Sequence, residues 1–273
     1  MPTIRLNGFD AYYEDHGGGG EPLVLVHGYT GDLTDWEHQI RAFAPQFRVV
    51  AMDNRGHGRS SAPPAGDGYT IEEMATDVRA LLDGLGLDRV HLAGHSLGGM
   101  VAQAFAVTWP ERLRSLVLVD SPPFSNMPEA VAYRERCFQV ARTQGMAAVV
   151  EFQEANAPFR PPIPVPPEER ERGRRRLAAM SVEGYVGAGL ALCRWPGVVD
   201  RLGEVTAPTL IIVGEHESPA MHRGVALLAE RLPGARLVTI PGAGHTPQRE
   251  ATAAFNEALS AFLAAVAAPP GER

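Results

Sequence analysis

The 273-residue sequence contains no lysine: all 25 of its basic side chains are arginines. That absence excludes the chemistries that need a side-chain amine, among them a Walker-type phosphate loop, a Schiff base and a serine–lysine dyad. Cysteine is nearly as scarce. Cys137 and Cys193 are too few for a disulfide framework and fit a reducing compartment, so a cytoplasmic protein is expected. No run approaches the roughly 18 apolar residues that a membrane span needs, and the opening MPTIRLNGFDAYYED lacks the apolar stretch of a signal peptide. No membrane partner is expected. Positive charge is also short: 32 acids against 25 bases leave a formal charge of −7, which argues against nucleic acid as a partner. What remains, 45% apolar and 21% charged residues, is ordinary globular composition.

Short extended runs alternate with helical patterns through the first 120 residues. Strands are predicted at Thr3–Asn7, Ala11–Asp15, Leu23–His27, Arg48–Asp53, Val90–Ala93 and Ser115–Asp120. Leu23–Val26 and Leu116–Val119 are apolar at every position, as expected of parallel strands covered on both faces. Ile71–Leu85 repeats its apolar residues at helical spacing, and Thr70 with Glu73 makes a capping box at its start. A second helix follows Ser96 and runs to about Trp109, closed by Pro110. After Asp120 the composition changes: residues 121–200 hold ten of the 23 prolines and ten of the 25 arginines. Six prolines crowd into Pro158–Pro167, which predicts a stiff irregular connector between helices at Glu129–Glu154 and Glu168–Met180. Arg174, Arg175 and Arg176 alternate with nearby glutamates and read as a solvated helix face. The alternation then resumes with strand Thr209–Val213, helix Ala220–Leu232, strand Arg236–Ile240 and helix Thr252–Val266. The expected architecture is an α/β core, residues 1–120 and 201–273, built on a mostly parallel sheet flanked by helices. A helical lid, residues 121–200, is inserted after its sixth strand.

The strongest chemical signal is Gly94-His95-Ser96-Leu97-Gly98-Gly99 between the strand Val90–Ala93 and the helix after it. G-x-S-x-G on a strand-to-helix turn is a nucleophile elbow, which strains its central residue and presents Ser96 above the first turn of a helix. Backbone N–H groups there can bind a developing oxyanion. A serine hydroxyl needs a base, and the candidate is His245, in Pro241-Gly242-Ala243-Gly244-His245 after the strand Arg236–Ile240. The imidazole in turn needs an orienting carboxylate. The loop Gly214-Glu215-His216-Glu217-Ser218-Pro219 offers Glu217, giving the chain order serine, acid, histidine.

Together with Val26-His27-Gly28-Tyr29 and Asp53-Asn54-Arg55-Gly56-His57-Gly58-Arg59-Ser60, these stretches resemble the α/β-hydrolase fold, specifically its lidded esterase, lactonase and cofactor-free haloperoxidase group. The resemblance covers about residues 3–266 and is weakest over the lid. It implies Ser96 as nucleophile, His245 as base, and the backbone N–H groups of Tyr29 and Leu97 as the oxyanion hole. The chain departs from the family in having Glu217 where aspartate is usual. Asp120, at the end of the strand Ser115–Asp120, is the alternative acid, and Glu215 a third choice.

Other features carry quieter readings. His91 and His95 lie four apart on a strand, roughly 13 Å from each other, too far to share a metal. The Asp53–Ser60 stretch lacks a full G-x-G-x-x-G, and His27, His57, Asp53 and Arg55 read as loop braces. Phe138, Phe152, Phe159 and Trp195 either line an acyl pocket or pack the lid on the core. No metal or organic cofactor is expected. The expected activity is hydrolysis of a small carboxylic ester or lactone through an acyl-enzyme. Carbon–carbon bond hydrolysis or perhydrolysis on the same triad is the alternative, and a non-catalytic ligand-binding homologue the more distant one.

Overall fold

The computed structural model describes residues 2–64, 68–125, 127–156 and 164–267. Eight strands form one sheet: β1 (Thr3–Leu6), β2 (Phe9–His16), β3 (Pro22–Val26), β4 (Arg48–Met52), β5 (Val90–His95), β6 (Leu113–Val119), β7 (Thr209–Gly214) and β8 (Arg236–Ile240). Their spatial order is β1-β2-β4-β3-β5-β6-β7-β8. Asn7 and Gly8, both at positive φ, close the β1–β2 hairpin, as a tight primed turn requires. β2 also runs antiparallel to β4, and the remaining neighbours are all parallel.

The helices are α1 (Glu37–Phe43), α2 (Ile71–Gly84), α3 (Leu97–Thr108), α4 (Pro128–Gln144), α5 (Met146–Asn156), α6 (Pro167–Ala179), α7 (Val182–Arg194), α8 (Pro219–Arg231), α9 (Pro247–Glu250) and α10 (Thr252–Ala267). The apolar strands divide their side chains between two cores, as the period of two demands. Val24, Val26, Leu116, Leu118, Ile211 and Val213 pack with α2, α3 and α8. Leu23, Leu25, Val117, Val119, Leu210 and Ile212 pack with α1 and α10 on the other face. The order of connections reverses between β3 and β5. At such a switch point the loops leaving adjacent carboxyl ends diverge and open a crevice.

Two helix predictions need correction. Glu129–Glu154 is not one helix, because Gly145 at φ +83° ends α4 and α5 starts afresh. α7 went unread because Gly184, Gly187 and Gly189 sit inside it, and interior glycine argues against helix. Those glycines answer to packing instead. A Cβ on Gly184 would strike the Gly56 backbone, one on Gly187 the Tyr69 ring, and one on Gly189 would stand 2.7 Å from the Tyr29 hydroxyl. Hence α7 lies with its backbone directly against the loops at the carboxyl ends of β3 and β4. Most of the Pro158–Pro167 connector, including Phe159, is outside the described residues. Pro164–Pro166 are exposed and irregular, and Pro167 begins α6.

Arginines fasten α6 to the core. Arg172 donates to Glu37 at 2.8 Å and Arg176 to Asp35 at 2.6 Å, while Arg249 of α9 reaches back to Glu169. Arg174 and Arg175 pair with Glu154 and Glu171 on the surface, so only the last of the three consecutive arginines departs from the solvated reading.

Candidate active site

The elbow is tight for a reason visible in its neighbours. Ser96 has φ +50° and ψ −112°, a conformation costing a non-glycine residue roughly 1–3 kcal/mol. It is held by its N–H donating to Val119 O at 2.8 Å, and by Ser121 Oγ donating to the Ser96 carbonyl at 2.9 Å. A Cβ at Gly94 would overlap the Gly98 carbonyl, and one at Gly98 would overlap the carbonyls of Val26 and His27. Only glycines let strand, turn and helix approach so closely.

Three sequence candidates converge here. His245 Nε2 lies 3.2 Å from Ser96 Oγ, and His245 Nδ1 is hydrogen-bonded to Glu217 Oε1. An ionised carboxylate only accepts, so Nδ1 carries the proton and Nε2 is left to accept from the serine hydroxyl. Glu217 Oε2 accepts from the Ser218 N–H at 2.8 Å, which fixes the carboxylate plane. The Glu217 side chain is 10% exposed and that of His245 46%. Desolvation works against charge on both. It is outweighed by their mutual hydrogen bond and attraction, which hold Glu217 below the usual carboxylate range and His245 above the usual imidazole value.

Asp120 is close by but plays a different part. It is fully buried at φ +41°, and its Oδ1 accepts from the Gly214 N–H at 3.1 Å while Oδ2 has no partner among the described residues. Burial pushes its carboxyl up to about 8, against the pull of His245. Near neutral pH it is therefore an uncharged brace under the loop that carries Glu217. Glu215 points elsewhere, accepting from Gly242 N–H at 2.8 Å.

Tyr29 and Leu97 flank the serine. Leu97 opens α3, where first-turn N–H groups lack helical acceptors, and neither its N–H nor that of Tyr29 has an acceptor among the described residues. The chain bearing Tyr29 comes close because of Gly28: a Cβ there would stand 2.8 Å from His95 Nδ1 and 3.3 Å from Ser96 Cβ. The Tyr29 side chain turns away and donates from its hydroxyl to Tyr185 O of α7 at 2.7 Å.

The surrounding braces were only partly foreseen. His27 Nε2 accepts from Asn54 N–H at 2.9 Å, Asp53 accepts from the N–H groups of Leu33 and Arg59, and Arg55 is bidentate to Asp77. His57 Nδ1 lies 3.0 Å from the Arg55 carbonyl. His95 was missed as a site neighbour. Its Nε2–H donates to the His245 carbonyl at 2.6 Å, and burial with the nearby His245 charge lowers its pKa to about 3, so it stays neutral. Glu250 was missed as well; it accepts from Gly244 N–H and from Thr246 Oγ1. His95 has no local signal, since it acts on a loop 150 residues away, whereas Glu250 lies within six residues of the groups it holds. His91 pairs with Ser115 and Glu21, and among the described residues no His, Cys, Asp and Glu group could hold a metal ion. Phe138 is buried among α4–α7, Phe152 stacks on Tyr133, and Trp195 joins the main core. A cleft of about 360 Å³ lies between α6, α9 and Asp35; it is lined by Thr246 but not by Ser96, Glu217 or His245.

Comparison with known proteins bears on this arrangement. A family model described as the alpha/beta hydrolase fold matches residues 21–146. A Variovorax paradoxus protein named for carbamate hydrolysis is 35% identical over 269 residues, covering 94% of this chain and 97% of its own. The chain belongs to the α/β-hydrolase family. Within that family it is 30% identical to 3-oxoadipate enol-lactonase 2 of Acinetobacter baylyi, covering 96% of each chain. A thermophilic esterase from Thermogutta terrifontis superposes with a TM-score of 0.84 at 32% identity, covering 97% of each chain. These relatives are hydrolases. Among the described residues, no helix is long and apolar enough to cross a membrane.

Proposed function

We propose that this α/β-hydrolase is a serine hydrolase that cleaves a small carboxylic ester or lactone through an acyl-enzyme. The reading rests on one observation above all: the hydrogen-bonded line from Ser96 through His245 to Glu217, assembled from the ends of β5, β8 and β7. The names of the relatives, spanning carbamate, enol-lactone and ester, share an acyl carbon bearing a leaving group.

In the first half-reaction Ser96 Oγ attacks the acyl carbon as its proton passes to His245 Nε2. The negative charge that builds on the carbonyl oxygen is met by the N–H groups of Tyr29 and Leu97, each worth about 3 kcal/mol of barrier. Glu217 keeps Nδ1 protonated and stabilises the transient imidazolium. His245 then gives its proton to the departing alkoxide, leaving the acyl group on Ser96. Water entering that space loses a proton to Nε2, attacks the same carbon, and releases the acid with Ser96 reprotonated. The layer α4–α7 acts as the lid over this site.

The direct test is covalent labelling by a fluorophosphonate probe together with turnover of a graded ester and lactone panel. Labelling and turnover that both vanish in Ser96→Ala support the mechanism. Full activity in that variant excludes it.

A further inference from the structure

One edge of the sheet is left open. β8 is hydrogen-bonded to β7 on one side, and among the described residues no strand covers the other. The Ile240 carbonyl accepts from the Glu215 N–H, so the alternation of a strand turns Ile240, Val238 and Arg236 toward β7 and leaves Leu237 and Thr239 facing outward. The backbone N–H and C=O groups of Leu237 and Thr239 form a short ladder with no partner among the described residues. Edge strands are ordinarily guarded by a charge, a proline or a bulge. The opposite edge, β1, follows that rule with Arg5, which is paired to Asp10. Between Leu237 and Ile240 β8 has no such guard. It runs in unbroken register with β7, and Leu237 is 42% exposed.

Two neighbours of this edge indicate what covers it. α10 lies over β7 and β8, with Phe255, Leu259, Phe262 and Leu263 packed among Leu210, Ile212 and Ile240. Its outer face is poor in charge for a chain with 21% charged residues: Glu257 is the one charge in 16 positions, and Ala253, Ala261, Ala264 and Ala265 are exposed. A helix of that length spans about 24 Å, so the apolar surface extends well beyond the strand itself. Charge supplies the second indication. Arg236, exposed at the start of β8, makes no ion pair among the described residues. Glu215, exposed beside the end of β8 where it accepts from the Gly242 N–H, has no arginine partner there either. A two-fold axis at Val238 pairs the outward groups of Leu237 with those of Thr239 in a second copy, giving four hydrogen bonds. The same axis sets each Arg236 opposite Ile240 of the other copy, next to that copy's Glu215. The edge is complementary to itself.

We propose that the chain forms a symmetric homodimer in which the β8 strands of two copies pair antiparallel into one continuous sheet, with the two α10 helices side by side along the seam. The seam borders the loops 215–218 and 241–245, but the assignment is independent of any chemistry at Ser96.

Sedimentation velocity over a concentration series reaching about 100 μM is expected to show a species of twice the 29.3 kDa chain mass. Thr239→Pro removes an outward N–H without touching the pairing with β7, and should weaken association about 30-fold, the scale of two lost hydrogen bonds. Leu237→Lys adds the missing guard, and Arg236→Glu sets like charges across the seam; each should weaken association about tenfold. Val238→Cys reads the register. At the two-fold axis a non-hydrogen-bonded pair holds its Cα atoms about 4.5 Å apart, within disulfide reach, so oxidised glutathione should convert this variant to a covalent dimer. The wild type, with Cys137 buried and Cys193 half-buried, and Arg41→Cys, exposed on α1, should stay uncrosslinked. A monomer throughout the series, a dimer unaffected by Leu237→Lys and Arg236→Glu, or a Val238→Cys variant that cross-links no faster than Arg41→Cys overturns the proposal. Should Thr239→Pro not fold, Leu237→Lys and Arg236→Glu, both at exposed positions, decide in its place.

Discussion

Replacing Glu217 by Gln and Asp120 by Asn separates two buried carboxyls that sequence alone leaves in competition. Glu217 shares a hydrogen bond with His245 Nδ1, is 10% exposed, and is held ionised by that bond. Its amide replacement removes a charge-assisted hydrogen bond to the imidazolium, worth about 1.5–3 kcal/mol. It also lets an NH2 group face Nδ1, which favours the tautomer whose Nε2 is already protonated and cannot act as base. Together these cost about 3–5 kcal/mol, or a fall in kcat/KM of roughly 10²- to 10⁴-fold. Asp120, by contrast, is neutral near pH 7 because burial pushes its carboxyl to about 8. Asparagine copies that neutral form and keeps an oxygen for the Gly214 N–H, so its loss is expected below about tenfold. The pH profile supplies a second sign. Glu217 holds the His245 pKa above the usual 6.5, and only neutral His245 can accept the serine proton, so wild-type activity falls as pH drops through that raised value. In Glu217→Gln the acid limb moves to lower pH, whereas in Asp120→Asn it stays put. Steady-state hydrolysis of a p-nitrophenyl ester across the pH range reads both effects. A larger loss in Asp120→Asn than in Glu217→Gln, or an acid limb that does not move in the latter, refutes the assignment of Glu217.

Three further outcomes follow from particular contacts. Asp120→Asn should stabilise the fold at alkaline pH: the native carboxyl binds its proton more tightly than the unfolded one, so wild-type stability declines from about pH 4 to about pH 8, and asparagine escapes that decline. Thermal melts of both forms at the two ends of this range check it, and a gap that does not widen with pH contradicts the buried neutral carboxyl. Gly28→Ala places a methyl 2.8 Å from His95 Nδ1, and His95 cannot retreat without releasing the His245 carbonyl. A fall in kcat/KM of about 100-fold is expected, and near wild-type kinetics would show that the Tyr29 loop has slack. Arg176→Ala leaves Asp35, with a side chain only 7% exposed, without its cation. A loss of about 1–3 kcal/mol, seen as a Tm lower by several degrees, is the expected result.

Much of this architecture is written locally. Alternating β-rich and helical runs mark every strand of the sheet within a few residues, most plainly at β3, β6 and β7, which are covered on both faces and are nearly continuous apolar runs. Ser96, Glu217 and His245 stand in loops whose glycines and chain order already suggest their meeting, and the structure brings them together. Two kinds of information were not legible. α7 breaks propensity rules with three glycines, and those glycines make sense only once Gly56, Tyr69 and Tyr29 are known to press against them. The other kind is the charge state of Asp120, which depends on its burial and on the single N–H it receives rather than on any motif.

The same contacts separate the candidate site from the α4–α7 layer. Each loop bearing a candidate catalytic group is tied within the α/β core: Ser96 N–H to Val119, Gly214 N–H to Asp120, the His245 carbonyl to His95, and Gly244 N–H to Glu250 of α9. None of these ties uses a residue of α4–α7. That layer instead meets the core through the Tyr29 hydroxyl, the glycine face of α7 and the arginine pairs of α6. A change on the inner surface of α4 or α7 can therefore alter which substrate is held without shifting Ser96 against His245. Substitutions facing the site from α4 or α7 should accordingly move the ratio between one ester and another, while substitutions at Gly28 or His95 should depress both alike. If the two groups of variants behaved interchangeably, cover and site would be one mechanical unit, and the separation argued from these hydrogen bonds would fail.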